Sequence, residues 1–181
     1  MKFKLLFLTV LLVGLNGCGP KENVKTAEVE PIKHTGTGTL VIKPVVFSKG
    51  ISIREAVKTE CELTGKLSQF IESNAASQYA SILTNSTSRQ RNAQVLTVEI
   101  EQVQGGGGGA WSGAKIVHVK GKLTKNGRVL GNFKARRYSG GGMFSAYKGS
   151  CAIFGRCVKT LGKDIATWLK NPTSNAVLGD M

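Results

Sequence analysis

The sequence has little of what common active sites are built from. It contains only two histidines, His34 and His118, and no Gly-x-Ser-x-Gly segment. Two isolated histidines supply neither the ligand set of a zinc site nor a general base with an orienting partner. The absence of the glycine-serine segment excludes the nucleophile elbow of the α/β-hydrolases. We therefore expect no enzyme activity, no bound metal and no cofactor.

The longest glycine run, Gly105 to Gly109, lacks the signals of a phosphate-binding loop. A Walker loop continues into Lys-Ser or Lys-Thr and a helix, and a dinucleotide fingerprint also opens a helix. The residues after the run alternate as a strand instead, so no helix amino terminus is available for a phosphate. We interpret residues 104–114 as a loop between two strands of one sheet.

No apolar run in the sequence is long enough to stay in a bilayer. The run Leu5 to Val13 follows Lys2 and Lys4, and it is shorter than the roughly 20 residues of a spanning helix. A short apolar run behind basic residues is typical of a signal peptide. We place this signal peptide at residues 1–17.

The signal peptide runs into the segment Leu15-Asn16-Gly17-Cys18, which resembles the lipobox of bacterial lipoproteins: Leu, a small residue, Gly or Ala, then Cys. The resemblance covers residues 1–18, and Asn16 departs from the usual small residue. It implies that Cys18 becomes the first mature residue and carries palmitate and further acyl chains, which together attach a protein lastingly to a membrane. Gly19 stands where many inner-membrane lipoproteins have Asp, so the resemblance implies the outer membrane, facing the periplasm. An ordinary secretory signal is the alternative.

Composition divides the mature chain into a tether, a domain and a tail. Residues 18–37 are polar, contain Pro20 and Pro31 and show no apolar period, as expected of a flexible tether. Residues 38–171 have the right size for one domain with one core. Residues 172–181 follow a helix stop and are interpreted as a C-terminal tail.

Positive charge exceeds negative charge in this chain. The sequence has 25 Lys and Arg against 11 Asp and Glu, and removal of Lys2 and Lys4 with the signal leaves 23 against 11, a net charge of +12. Such an excess favours anionic neighbours. In the cell envelope these are phospholipid headgroups, lipopolysaccharide phosphates or teichoic acids, so we expect no nucleic-acid partner.

Apolar periodicity predicts an α+β fold, a small antiparallel sheet with two helices packed on one face. The order is strand, helix, three-stranded meander, helix. β-rich composition indicates a strand at residues 39–47, where Pro44 favours an edge position or a bulge, and residues 51–53 continue or return it. Period-two alternation indicates strands at residues 95–103, 115–123 and 128–138. Lys125-Asn126-Gly127 indicates a tight turn within the meander. The residues predicted to face the core are Leu96, Val98, Ile100, Val117, Val119 and Leu123.

Helical spacing of apolar residues predicts the two helices. The first begins at a Thr64 cap and stops at Asn85, and the last begins near Cys151 and ends at Asn171-Pro172. The apolar positions of the first helix are Leu67, Phe70, Ile71, Tyr79, Ile82 and Leu83. Those of the last helix are Phe154, Val158, Leu161, Ile165, Trp168 and Leu169.

This element order resembles that of the TolB amino-terminal domain and of the related curli-secretion lipoprotein, with no shared motif behind the likeness. The chain also resembles uncharacterised proteobacterial envelope lipoproteins, and this resemblance implies no known activity.

Three cysteines remain once Cys18 is acylated: Cys61, Cys151 and Cys157. A disulfide is expected in the oxidising periplasm. If the last helix contains both Cys151 and Cys157, they lie about 9 Å apart along its axis, which is out of bridging reach. We predict a Cys61–Cys151 disulfide, with Cys61–Cys157 as the second choice. The alternative is that all three thiols are free and buried.

The strand directions bring two glycine-rich loops, 104–114 and 139–150, to one end of the sheet. Both loops carry aromatic side chains, which either face a partner or fold back onto the sheet, and basic residues accompany them. The candidate binding surface consists of Trp111, Lys115, Arg136, Arg137, Tyr138, Phe144, Tyr147 and Lys148.

Two functions are consistent with these residues. In the first, the protein is a membrane-anchored, non-catalytic structural, assembly or docking module with an envelope protein as its partner. In the second, the basic and aromatic loops bind an anionic envelope polymer or lipid directly.

Overall fold

A mixed sheet with two helices packed against it forms the core of residues 32–87, 90–105, 114–140 and 149–180, which the computed structural model describes. This α+β architecture is the predicted one. The seven strands of the sheet are β1 (Thr39–Ile42), β2 (Val46–Phe47), β3 (Ser81–Leu83), β4 (Gln94–Gly105), β5 (Lys115–Lys125), β6 (Arg128–Ser139) and β7 (Ala176–Gly179). The helices in these residues are a short α1 (Glu55–Glu60) and the two packed helices, α2 (Leu63–Ala75) and α3 (Ser150–Leu169), and a 3-10 turn covers Ala76–Gln78.

The sheet has the strand order β3-β1-β4-β5-β6-β7, and β2 pairs with β4 beyond the end of β1. The meander β4-β5-β6 is antiparallel as predicted, but β1 and β2 run parallel to β4, β1 runs parallel to β3, and β7 runs parallel to β6. The expected purely antiparallel sheet is therefore corrected to a mixed one. The reason is that the chain crosses over through α1 and α2 after β2, and through α3 after β6, and helical crossovers return a strand in the parallel direction.

The turn of the meander and the residues that face the core are as predicted. Asn126 and Gly127 have φ angles of 50° and 81°, which are the left-handed values of a tight hairpin turn. The register places Leu96 opposite Leu123 and Ile100 opposite Val119. The six residues predicted to face the core, Leu96, Val98, Ile100, Val117, Val119 and Leu123, are all at most 2% exposed.

The first predicted helix is shorter than its apolar spacing indicates. The helix α2 ends at Ala75, the chain then tightens into the 3-10 turn, and Tyr79 is already extended. Ile82 lies on β3 because β1 offers it a parallel partner, and Asn85 takes a left-handed φ of 51° after that strand. The cap is Glu62 rather than Thr64, and residues 51–53 form no strand.

Both ends of the domain extend beyond the predicted limits of residues 38 and 171. The backbone amides of Gly36 and Thr37 donate to the carbonyls of Tyr79 and Gln78 at 3.3 Å, so the last two tether residues are bound to the domain. The predicted C-terminal tail includes β7, which pairs with β6 from Phe133 onwards. The prediction missed β7 because four residues are too few to show a period.

Helices α2 and α3 are in close contact at Gly162. A Cβ atom on Gly162 would lie 2.5 Å from the Cβ of Phe70 and 2.9 Å from its carbonyl carbon, whereas a Cβ on Gly155 of the same helix would meet nothing within 4 Å. Alanine favours a helix over glycine by about 1 kcal/mol, but overpacking costs about 1 to 3 kcal/mol.

We therefore expect Gly162→Ala to lower the free energy of unfolding by up to about 2 kcal/mol. The matched variant Gly155→Ala is expected to raise it by up to about 1 kcal/mol. Urea unfolding followed by circular dichroism measures both changes. Equal effects of the two variants would show that the helices do not touch at Gly162.

Asp180, directly after β7, connects the end of that strand to β6 through hydrogen bonds. Its carboxylate accepts from the backbone amide of Tyr138 at 3.0 Å and from Arg137 at 2.6 Å, and its carbonyl accepts from Nε of Arg136 at 2.9 Å. The hydrogen bond from the Tyr138 amide, together with the two arginines and against some desolvation, holds the pKa of Asp180 below its ordinary value of 3.8. The ionised carboxylate is thus the form that the folded strand prefers.

A lowered pKa makes the stability that Asp180 contributes fully present above about pH 4 and progressively lost as the pH falls through the folded value. We expect hydrogen exchange of the β7 amides, corrected for intrinsic rates, to accelerate relative to that of β5 amides between pH 5 and pH 3. Asp180→Asn should show no such pH dependence. If the unmodified protein also shows none, the carboxylate does not hold β7.

Candidate functional site

The pleat of the meander divides its side chains between two faces. One face packs against α2 and α3 and contains the core. The other face carries the alternate residues, which are polar or charged in most positions because they meet water. We call this second side the open face, and its described residues include Thr97, Glu99, Glu101, Gln102, Gln104, Ile116, His118, Lys120, Lys122, Asn132, Lys134, Arg136 and Tyr138.

A groove of about 470 Å³ crosses the open face from β4 to β7. Its walls come from four strands and from the turn that precedes β7. We call it the open-face groove, and its polar lining consists of Thr97, Glu99, Lys120, Lys122, Asn132, Lys134 and Asn175. Val177, which is 64% exposed, is its apolar contribution from β7.

Lys120 is paired with two glutamates on the open face. Lys120 Nζ lies 3.3 Å from Glu99 and 3.2 Å from Glu101, and Ser48 donates to Glu99 at 3.0 Å. The hydrogen bonds from Ser48 and then Lys120 lower the pKa of Glu99, and those to Glu101 and Glu99 raise the pKa of Lys120. The positive charge of Lys120 is therefore fully compensated within the protein by these two carboxylates.

The other two lysines of the groove carry charge without such compensation. Within the described residues, neither Lys122 nor Lys134 has a carboxylate within 4.0 Å, and both are exposed. Lys134 lies directly opposite Lys120 in the register of β5 and β6, and the charge of Lys120 is already compensated by its two glutamates. The open face thus keeps two lysines, Lys122 and Lys134, whose charge no described carboxylate pairs.

The predicted surface residues are separated by the same alternation. Arg136 and Tyr138 lie on the open face, and Tyr138 is 56% exposed. Lys115 and Arg137 lie on the helix side, because odd-numbered positions of β5 and β6 face α3. The single predicted surface is therefore corrected, since these four residues do not share one face.

Lys115 is fully buried and belongs to no surface in this structure. Its Nζ lies 5.9 Å from the ring centroid of Phe154, a distance at which a cation is attracted to a ring face. Desolvation, with a smaller contribution from the charge of Arg54, lowers the pKa of Lys115. A Cβ on Gly105 would lie 2.4 Å from Cδ of Lys115, so the first glycine of the run makes room for this side chain.

Arg137 forms ion pairs with two carboxylates. Its Nε and Nη2 donate to the two oxygens of Asp164 at 2.7 and 2.8 Å, and its Nη1 donates to Asp180 at 2.6 Å. Asp164 lies on α3 and its side chain is 16% exposed. The guanidinium therefore joins α3, β6 and the end of β7.

The remaining predicted site residues, Cys18, Trp111, Phe144, Tyr147 and Lys148, lie outside the described residues. The strand ends that flank the two predicted glycine-rich loops are adjacent in the sheet, because Lys115 pairs with Gly105 on one side and with Ser139 on the other.

The structure joins Cys61 and Cys151 in a disulfide, the first of the two predicted pairings, with their Cα atoms 4.8 Å apart. Cys157 is free and buried, and its Sγ donates to the carbonyl of Lys115 at 3.5 Å. Desolvation raises the pKa of the Cys157 thiol to about 11, so this thiol is protonated at neutral pH.

His118 lies on the open face opposite Arg136. Desolvation, and then the charge of Arg136, lower its pKa below the ordinary value of 6.5, against the opposing charge of Glu101. In the described ranges, no group of three or more His, Cys, Asp or Glu side chains comes together as metal ligands would.

Among the helices of the described part of the chain, none combines the length and the apolar content that crossing a bilayer requires.

No family model and no curated protein matches the sequence. Solved structures with a similar fold include an uncharacterised protein, with a TM-score of 0.50, 10% identity and coverage of 75% of this chain and 94% of that chain. A minor lipoprotein from Acinetobacter baumannii has a TM-score of 0.40 and 13% identity over 74% of this chain and 91% of that chain. PelC from Paraburkholderia phytofirmans, solved as a dodecamer, has a TM-score of 0.42 and 13% identity over 74% of this chain and 91% of that chain. At 10% identity, the likeness to the first of these structures shows a shared fold alone.

Proposed function

We propose that the protein is a non-catalytic, lipid-anchored docking module of the bacterial envelope that presents its open face to another envelope component. One observation carries the proposal. The sheet buries one face under α2 and α3, while the other face keeps a groove with two lysines that no described carboxylate neutralises. Exposed charge of this kind is more useful to a partner than to the fold, because surface ion pairs and like-charged neighbours add little or negative stability.

The lipid anchor belongs to the same proposal and rests on the sequence Leu15-Asn16-Gly17-Cys18. Growth with an alkyne analogue of palmitate should label the protein, and Cys18→Ser should abolish the label while leaving the protein folded. Fractionation should then find the labelled protein in the outer membrane. Absence of label, or label that survives Cys18→Ser, would contradict the anchor.

The uncompensated lysines favour a second function within this class, in which the docked component is an anionic envelope polymer or lipid rather than a protein. In the first function that the sequence predicts, the docked component is an envelope protein. A protein partner and an anionic polymer can occupy different faces of the domain. Their binding also differs in its dependence on salt, because salt screens charge–charge attraction.

Photo-crosslinking in living cells tests the docking proposal. A probe at Val177 samples the open-face groove, and a probe at Lys163 samples the exposed side of α3. We expect Val177 to give a crosslinked product, as a discrete band with a protein partner or a dispersed one with a polymer, and Lys163 to give none. Crosslinks from Lys163 alone would show that the helix side is the docking face, and their absence from both positions would contradict a docking function.

A further inference from the structure

We infer that the open-face groove binds an anionic polysaccharide, with Lys122 and Lys134 as its cationic contacts. The inference rests on the proposed docking function and names the chemistry of the docked component.

The groove offers the kinds of contact that an acidic sugar chain uses. Lys122 and Lys134 supply positive charge for carboxylate or phosphate groups, and charged hydrogen bonds of this kind are the strong ones. Asn132 accepts from the backbone amide of Asn175 through its Oδ1, which leaves its Nδ2 donor for a sugar hydroxyl. Val177 provides an apolar contact for the C–H face of a ring.

The distribution of charge directs an anion to one part of the groove. Lys120 is held by Glu99 and Glu101 at 3.3 and 3.2 Å, so it contributes little net attraction. Lys122 and Lys134 remain, on adjacent strands next to that cluster of one lysine and two glutamates. An anionic group placed beside Lys122 and Lys134 would meet two cations that no described carboxylate pairs, on the side of the groove away from Glu99 and Glu101.

The shape and composition of the groove favour a chain over other anions. It extends from Thr97 on β4 to Val177 on β7, so several units of a polymer fit along it, whereas a bilayer is flat and would not enter. Protein interfaces are centred on aromatic and other apolar side chains. Among the groove's lining residues only Val177 is a large, exposed hydrophobic side chain, which disfavours an acidic protein.

The test measures binding of the detergent-solubilised, full-length mature protein to polygalacturonate, a carboxylate-bearing polysaccharide. Neutral dextran, poly-glutamate and vesicles that contain phosphatidylglycerol are the comparison ligands. The test variant is Lys122→Gln/Lys134→Gln. The matched control is Lys159→Gln/Lys163→Gln, which removes the same charge from exposed positions of α3. All four lysines are exposed, and circular dichroism checks that each variant keeps the native fold.

We expect polygalacturonate to bind and dextran not to bind. The groove variant should weaken polygalacturonate binding about tenfold, since each exposed ion pair contributes a few-fold. The helix variant should weaken it less than about twofold, because distant charges are screened at physiological salt. Lys122→Arg/Lys134→Arg should keep the affinity, since it keeps the charge.

Three results would overturn the inference: no binding of polygalacturonate, equal effects of the two glutamine variants, or binding of poly-glutamate or vesicles that depends on Lys122 and Lys134 as strongly as polygalacturonate binding does. Each leaves the docking function standing if Val177 still crosslinks in cells. Absence of the Val177 crosslink together with lysine-dependent polygalacturonate binding would overturn the docking function in cells and leave the affinity of the groove for an acidic polysaccharide standing.

Discussion

Replacing Cys61 and Cys151 together by alanine is expected to lower the free energy of unfolding by about 3 to 5 kcal/mol. The disulfide closes a separation of 90 residues, and a cross-link over so long a loop restricts the unfolded chain strongly. It joins the segment between α1 and α2 to the first turn of α3. We therefore expect its loss to affect the whole domain and this end of the sheet in particular.

Urea unfolding with and without a reductant measures this effect. The unmodified protein should lose stability when it is reduced, and the Cys61→Ala/Cys151→Ala variant should not change further. Cys157→Ala is the control for loss of a buried sulfur atom without loss of a cross-link, because Cys157 is free. A loss below about 1 kcal/mol for the double variant would mean that the disulfide adds little to packing already present.

Replacing Arg137 by methionine is expected to cost about 2 to 4 kcal/mol of unfolding free energy. Arg137 binds both oxygens of Asp164, whose side chain is 16% exposed, and one oxygen of Asp180. Removal of the guanidinium leaves the Asp164 carboxylate poorly solvated and without its partner, and an unpaired charge in such a place is more destabilising than an absent pair.

A second substitution distinguishes two effects on stability: the loss of the ion pair, and the presence of a carboxylate left without its partner. Arg137→Met/Asp164→Leu should regain a large part of the stability that Arg137→Met loses, because both charges are then absent. Arg128→Met, at an exposed position of the same strand, should change the free energy by less than about 0.5 kcal/mol. If the double variant is as unstable as the sum of its single variants, Arg137 and Asp164 do not act as a pair.

The parts of the fold that the sequence predicted are those with long, regular apolar periods. The strands β4, β5 and β6 have 11 or 12 residues each, and α3 has 20, so their patterns were unambiguous and the Asn126-Gly127 turn set their register. Ile82 was assigned to a helix because it continues the helical spacing of α2, although Tyr79 is already extended. The pairing of β7 depends on β6, which is distant in sequence, and a strand of four residues is too short to show a recognisable apolar alternation.

Only part of the candidate site was predicted from the sequence, and the reasons are similar. The sequence analysis grouped basic residues by their position along the chain, whereas the alternation within β5 and β6 separates Lys115 and Arg137 from Arg136. The same alternation could have indicated Lys122 and Lys134 as neighbours on the polar side of the meander. The contribution of Val177 could not be predicted, because it requires β7 to be in the sheet.

Lysine footprinting in intact cell envelopes tests the central claim, that the open face is the docking face. The membrane-bound protein is acetylated briefly in envelopes and, separately, after purification, and mass spectrometry compares the modification rates of four exposed lysines. We predict that Lys122 and Lys134 react at least about threefold more slowly in envelopes and recover at high salt, while Lys159 and Lys163 react equally in both preparations. Protection of Lys159 and Lys163 with free reaction of Lys122 and Lys134 would contradict the account.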